Sequence, residues 1–315
     1  MARDGVRVPA AAALVGILLG GGCGGGGGLP GTSGGNPSDT VSGRIAFDSR
    51  RSAGTDIWTV DANGKNLTRV TTLASAEIQP TWSPDGVTLA FASDYQGMPL
   101  IYQIPAAGGS PTPVTSKPAG NGDLQPAWSP DGQWIAFRRD LGIAGGGTIM
   151  KIHPDGSGLA VLIEGDSVGA DGTKPVRNPA WSPSGTRIAF WRGAVDLCTV
   201  GIDGTGLHVV ASVTGGAGAI GWSPDGSRLA FAAQDPTGLR IFAVDTTGAN
   251  LVRLAPPPGS WSPAWSPNGQ HLAFVKILTV PVNPNGEIMV GNADGSSAYA
   301  IASINVDDEN PAWRP

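Results

Sequence analysis

Short runs rich in β-branched and aromatic residues alternate along this chain with clusters of Gly, Pro, Asp, Asn and Ser. Ile57-Trp58-Thr59-Val60, Ile101-Tyr102-Gln103-Ile104 and Ile241-Phe242-Ala243-Val244 are such runs, and turn residues such as Asp61 to Gly64, Asp203-Gly204 and Asp245 to Gly248 punctuate them. Apolar runs this brief, bounded by turn signals, predict strands rather than helices. The chain reads as all-β.

One phrase recurs. Gln79-Pro80-Thr81-Trp82-Ser83-Pro84-Asp85-Gly86 closes on Leu89-Ala90-Phe91, and returns as Gln125 to Gly132 with Ile135-Ala136-Phe137 and as Asn178 to Gly185 with Ile188-Ala189-Phe190. Further copies run from Ala219 to Phe231 and from Ser262 to Phe274, so that Trp82, Trp128, Trp181, Trp222, Trp265 and Trp313 follow one another at intervals of 41 to 53 residues. A period in the forties built from strands is the signature of a β-propeller, with four strands per blade. Within each repeat the first strand carries the Trp. Ser-Pro-Asp-Gly then supplies a turn, Pro presetting φ and Gly taking the left-handed position. Leu/Ile-Ala-Phe is the second strand, a run such as Ile57 to Val60 the third, and a segment such as Asn66 to Val70 the fourth.

The first repeat-like segment, Gly43 to Phe47, is a second strand, and Asn310 to Pro315 is a first strand. Their pairing would complete one blade and close the ring, removing the open edge. The expected fold is an all-β, six-bladed β-propeller over residues 43–315. Small residues precede the tryptophans (Thr81, Ala127, Ala180, Gly221, Ala264, Ala312), as an innermost strand crowded near the axis requires. The tryptophans are expected to pack between blades.

Turns after first and third strands fall on one face and are short and repetitive. The opposite face carries the variable connections, Arg138 to Gly147, Gly165 to Arg177, Val275 to Gly286 and Asp307 to Asn310. Variable loops on a rigid scaffold are where binding resides. Polar residues beside the Trp strand would rim that channel mouth: Glu77, Gln79, Asp123, Gln125, Asn178, Ser262, Asp308 and Asn310, with Arg139 and Arg192 as counter-charges. The alternative use of the same side chains is to satisfy strand ends.

The N-terminus changes the picture of where the protein works. Arg3 and Arg7 precede an apolar stretch, Val8 to Leu19, too short to span a bilayer, and Gly20-Gly21-Gly22 lead into Cys23. Residues 1–22 resemble a bacterial lipoprotein signal, although Gly20 stands where that signal usually has Leu. The resemblance implies lipid attachment at Cys23. Residues 23–42, rich in Gly, Pro and Ser, read as a tether. The expected location is the cell envelope, in the periplasm or at the outer membrane, lipid-anchored.

Charge and rare residues narrow the classes. Twenty Lys and Arg against 25 Asp and Glu, with no basic run, argue against a nucleic-acid partner. Three His and two Cys leave little for a His/Cys metal site, so no metal or cofactor is expected. Cys198, aligned with Trp58 and Tyr102 in a third strand, reads as a buried inert thiol.

The Pro-x-Trp-Ser-Pro-Asp-Gly phrase with its Leu/Ile-Ala-Phe sequel resembles the repeats of the TolB family and of propellers in prolyl-oligopeptidase-type proteins. Ala92-Ser93-Asp94 through Ile101-Tyr102, and Pro311-Ala312-Trp313, resemble TolB in particular. The resemblance implies a periplasmic propeller that binds a protein or peptide at its channel mouth, in TolB's case the lipoprotein Pal. TolB carries an α/β domain ahead of its propeller and is not normally lipid-anchored, whereas residues ahead of Gly43 here read as signal and tether. The expectation is a non-catalytic, monomeric binding module rather than a Tol–Pal component.

The alternative is a carbohydrate-active propeller, a lyase or hydrolase using Glu77, Asp123 and Asp308. Paired carboxylates do acid–base work only at a suitable separation. Gly165-Asp166-Ser167-Val168-Gly169 matches a nucleophile-elbow spacing but lacks the strand-to-helix context that motif needs. His153, His208 and His271 are expected at a third-strand end, in a fourth strand and in a turn of three different blades.

Overall fold

A computed structural model describes residues 41–116, 120, 122–142, 147–165, 175–278, 285–302 and 306–315. Cys23, the signal and tether residues up to 40, and residues 166–169 of the elbow-like motif lie outside the described residues. Blade I joins β1 (Arg44–Ser49), β2 (Asp56–Asp61) and β3 (Thr68–Arg69) to the last strand of the chain, β24 (Asp308–Trp313). Blade II is β4 (Glu77–Trp82), β5 (Thr88–Ser93), β6 (Leu100–Pro105) and β7 (Thr112–Pro113). Blade III is β8 (Gly122–Trp128), β9 (Ile135–Asp140), β10 (Gly147–Ile152) and β11 (Ala160–Ile163). Blade IV is β12 (Val176–Trp181), β13 (Arg187–Arg192), β14 (Asp196–Gly201) and β15 (His208–Ser212). Blade V is β16 (Thr214–Trp222), β17 (Arg228–Asp235), β18 (Gly238–Asp245) and β19 (Val252–Arg253). Blade VI is β20 (Ser260–Trp265), β21 (His271–Leu278), β22 (Asn285–Asn292) and β23 (Tyr299–Ala300).

The six sheets confirm the six-bladed propeller, and antiparallel pairing of β24 with β1 closes it as the sequence predicts. Innermost strands β24, β4, β8, β12, β16 and β20 neighbour one another in that cyclic order. Blade I therefore lies across the axis from blade IV.

Alternation along the second strands explains the Leu/Ile-Ala-Phe motif. Leu89 and Phe91 point toward blade I and pack on its Ala46 and Ala312, while Ala90 and Ala92 offer a low face to Ile135 and Phe137 of blade III. Each blade thus sets a bulky face into the shallow face of its predecessor, and six apolar clusters occupy the six seams. Such large-into-small packing fills space without voids. The tryptophans belong to the same scheme. Trp82, Trp181, Trp222 and Trp313 donate their indole N–H to the inner-strand carbonyls of Ala312, Ala127, Ala180 and Ala264 at 3.0–3.1 Å, each on the preceding blade.

Several details differ from the sequence reading. Fourth strands shrink to two residues in β3, β7, β19 and β23. His271 opens β21 rather than sitting in the turn, and Asp308 to Asn310 belong to β24 rather than to a loop. Cys198 pairs with Phe190 as Tyr102 pairs with Phe91, and it is fully buried.

Candidate functional site

The channel is a cavity of about 590 Å³ walled by all six inner strands, with Thr81, Ala127, Ala180, Gly221, Ala264 and Ala312 around its waist. Gln79, Gln125, Asn178 and Asn310 line it toward the face of the variable connections, where the inner strands begin. All four take left-handed backbone (φ 60°, 57°, 53° and 51°), as does Ser262 (φ 49°). Each sits where the inner strand slips register against the second strand, Ile78↔Ala92 jumping to Thr81↔Ala90 for example. A bulge of this kind frees a backbone N–H from its ladder and turns it to the axis.

Three of those freed donors are capped by the preceding blade. Asn178 N–H donates to Gln125 Oε1 (2.8 Å), Gln125 N–H to Gln79 Oε1 (2.9 Å), and Gln79 N–H to Asp48 Oδ1 (3.0 Å). Asn310 Nδ2 reaches the same Asp48 oxygen at 2.9 Å. The relay changes direction at blade V. There the left-handed residue is Gly218 (φ 68°), β16 slips register twice, and Ala219 N–H turns forward to Ser262 Oγ at 3.2 Å. Asn178 is left with a side-chain amide that bonds nothing among the described residues.

The carboxylates stand deeper. Glu77, Asp123 and Asp308 are buried, as is Ser262. Asp123 takes Arg139 in a bidentate pair, Nε at 2.8 Å and Nη2 at 2.9 Å. Asp308 meets Arg51, whose side chain is equally buried, and Glu77 is held by the hydroxyls of Ser75 and Ser93. Arg192 pairs with Asp196 at 3.3 Å. The structure therefore gathers Gln79, Gln125, Asn178 and Asn310 at the mouth, and commits Glu77, Asp123, Arg139, Arg192, Ser262 and Asp308 to partners within the blades.

Burial perturbs several of these acids. Desolvation lifts Glu77 to about 7 and Asp308 to about 6, the latter against the pull of its hydrogen bonds and of Arg51. Asp48 is raised to about 6 by burial, opposed by the N–H of Gln79 and the amide of Asn310. Glu309 rises to about 7, from burial and then from the charges of Asp48 and Asp307. Arg177 lies in blade IV, and burial and then the nearby Arg138 lower its pKa. Asp48, Glu309 and Arg177 are site residues that the sequence reading passed over. They sit one strand over from, or one position before, the repeated phrase, where residue type changes from blade to blade. The departure of Asp48 from Ala92 and Ala232, which follow the equivalent Phe, was the available signal. Among the described residues no group of three His, Cys, Asp or Glu is arranged to hold a metal ion.

Comparisons with known proteins agree with this architecture. Residues 37–170 match the family described as the TolB beta propeller domain, PD40. A 100-residue stretch, 29% of this chain, is 35% identical to the Tol-Pal system protein TolB of Gluconobacter oxydans (strain 621H), and the match spans only 22% of that protein's length. The crystal structure of TolB from Acinetobacter baumannii superposes with a TM-score of 0.72 at 21% identity, over 87% of this chain and 67% of that one. An oligogalacturonate lyase of Vibrio parahaemolyticus is more distant, with a TM-score of 0.55 at 12% identity over 85% of this chain and 76% of that one. The two structural likenesses speak to fold. The family match falls on the repeats within residues 37–170, whose phrase resembles the TolB type.

Proposed function

We propose that this propeller is a non-catalytic binding module of the bacterial envelope, anchored through a lipid on Cys23, which takes a protein or peptide partner at the channel mouth and the adjoining variable face. The observation that carries the reading is the chemistry of the mouth. It presents side-chain amides on a rigid ring around a cavity of about 590 Å³, the chemistry that pairs with peptide groups. The TolB relatives, one of them titled a Tol-Pal system protein, support a protein partner and a periplasmic setting.

A lyase or hydrolase reading gains less. Its carboxylates would be Glu77, Asp123 and Asp308, and each of these is buried against a partner of its own. The partner-binding role of Gln79, Gln125, Asn178 and Asn310 is direct contact. For Glu77, Asp123, Arg139, Arg192, Ser262 and Asp308 it is support of that surface from within.

Cross-linking the tagged, full-length protein in its native envelope, followed by identification of captured proteins, tests the reading. Asn178→Ala is the informative control, since among the described residues its side chain bonds to nothing else. A partner recovered with wild type and diminished with Asn178→Ala is the expected result. Recovery of no protein, together with retention of an envelope polysaccharide, would overturn it.

A further inference from the structure

The run of forward caps from blade I to blade IV stops where blade IV meets blade V. In the relay, each capping side chain of blades II and III reaches forward to the next blade's freed N–H, but Asn178 does not, because Ala219 N–H is already taken by Ser262. Its Oδ1 and Nδ2 therefore face the channel with one acceptor and one donor pair unspent.

The residue before it, Arg177, is also unmatched. Its guanidinium stacks over the ring of buried Trp191, 5.9 Å from the centroid, and Nη2 donates to the carbonyl of Gly216 at 2.9 Å. Among the described residues Nε and Nη1 have no hydrogen-bond partner, and no carboxylate pairs with the group. Gly216 makes this seat possible: a Cβ there would lie 2.4 Å from the Trp191 ring, so any side chain would push Trp191, and with it Arg177, out of place. A half-buried cation without a counter-ion is costly for the empty protein, and a carboxylate arriving there recovers charge-assisted, two-pronged hydrogen bonds.

We infer that the blade IV–V corner of the mouth binds a peptide carboxylate, Arg177 holding the acid group while the Asn178 amide pairs with the neighbouring peptide bond. The inference rests on the mouth being the working surface. An acidic oligosaccharide would also offer carboxylates, but the far side of the ring opposes it. Blade I places Asp48, Asp307 and Glu309 there against Arg50, which pairs with Asp307 at 3.0 Å, so acids outnumber bases and a polyanion crossing the mouth would meet that excess. A peptide bearing a single carboxylate avoids that repulsion. The acid can be a C-terminus or an acidic side chain, and the chemistry at Arg177 is the same for both.

The test uses the intact, isotope-labelled protein and amide NMR. Four probes are titrated: acetyl-alanyl-leucyl-alanine with a free C-terminal carboxylate, its C-terminal amide, amidated acetyl-alanyl-aspartyl-alanine, and trigalacturonate. The expected result is saturable movement of the Gly215 to Ala219 amides and of the Arg177 Nε–H with one or both carboxylate peptides, and none with the neutral amide. Whichever carboxylate peptide responds identifies the source. Arg177→Gln should weaken that peptide about tenfold or more, the scale of one charge-assisted bond, and Arg177→Lys, which keeps the charge, should weaken it less. Equal binding of the neutral amide overturns the inference. So does trigalacturonate moving the same amides more tightly than any peptide. Peptide shifts confined to Gln79 and Asn310 would sink this corner yet leave the mouth as the binding surface. Because wild-type protein alone separates the probes, a variant that folds poorly does not blunt the test.

Discussion

The side-chain carbonyl of Gln79 accepts the backbone N–H of Gln125 at 2.9 Å, across the boundary between two blades. One residue thereby does two jobs: its left-handed backbone makes the bulge of its own blade, and its side chain closes the bulge of the next. The rim is a hydrogen-bonded belt, and mutations there must be read accordingly.

Gln125→Ala should therefore destabilise the domain. It strands the N–H of Asn178, worth about 1–3 kcal/mol when buried, and leaves a left-handed residue without the compensating bond. Gln125→Gly, which relaxes the φ of 57°, should cost less than the alanine despite losing the same cap. Asn178→Ala should fall within about 1 kcal/mol of wild type, since only the backbone strain changes. Urea unfolding of the three variants gives the order, and a large loss in Asn178→Ala would refute the picture of a spent belt with one free amide.

How much of this was legible beforehand depends on whether a residue belongs to the repeat. Trp82 and its five counterparts, the Ser-Pro-Asp-Gly turns and the β24–β1 closure recur or complete a pattern, so fold and blade count could be read from spacing alone. Gln79, Gln125, Asn178 and Asn310 were found for the same reason, three residues before a tryptophan. Their hydrogen bonds could not be found, because a bulge twists a side chain out of the strict alternation that a sequence shows. Arg177 and Glu309 were invisible for the opposite reason. Their counterparts in other blades include Ile78, Leu124 and Trp261, so no pattern marks the position, and only the three-dimensional ring shows that the two lie on opposite blades.

The pair Asp123–Arg139 carries a sharp stability prediction. Asp123 is out of water and Arg139 largely so, and Asp123→Ala leaves a mostly buried guanidinium without its acid, which costs about 3 kcal/mol. Replacing the two together with Leu and Met should recover most of that loss, because the desolvation of both ions disappears with them. Denaturant midpoints of the single and double variants decide it. A double variant as unstable as the single would mean that the pair contributes something packing cannot replace.

The tryptophans divide into two groups that look identical in sequence. Trp82, Trp181, Trp222 and Trp313 donate their indole N–H across a seam, whereas the indole nitrogens of Trp128 and Trp265 are buried with no partner. Phenylalanine removes the N–H in every case but relieves an unsatisfied donor only in the second group. Trp181→Phe should therefore cost about 1 kcal/mol more than Trp128→Phe. Thermal melts of matched pairs test the difference, and equal costs would show that the bond contributes no net stability.

The acids on blade I set the pH behaviour. Asp48 is raised to about 6 and Glu309 to about 7 in the folded protein, while in the unfolded chain they titrate near their ordinary values of about 4. Below about pH 4 both states hold the protons and these groups cost nothing. As pH climbs from about 4 to about 7 the unfolded chain releases them first, so the folded state loses stability across that window and stays penalised above it. For Asp48, which is buried, the penalty at neutral pH is on the order of 2–3 kcal/mol. Asp48→Asn removes the charge yet keeps an oxygen that can accept from Gln79 N–H and Asn310 Nδ2. The variant should be more stable than wild type at pH 7.5 and nearly equal to it at about pH 3.5, so that their stability curves converge toward acid. Urea titrations at the two values test this, and an Asp48→Asn protein weaker than wild type at pH 7.5 would mean that the ionised carboxylate contributes more to the relay than its burial costs.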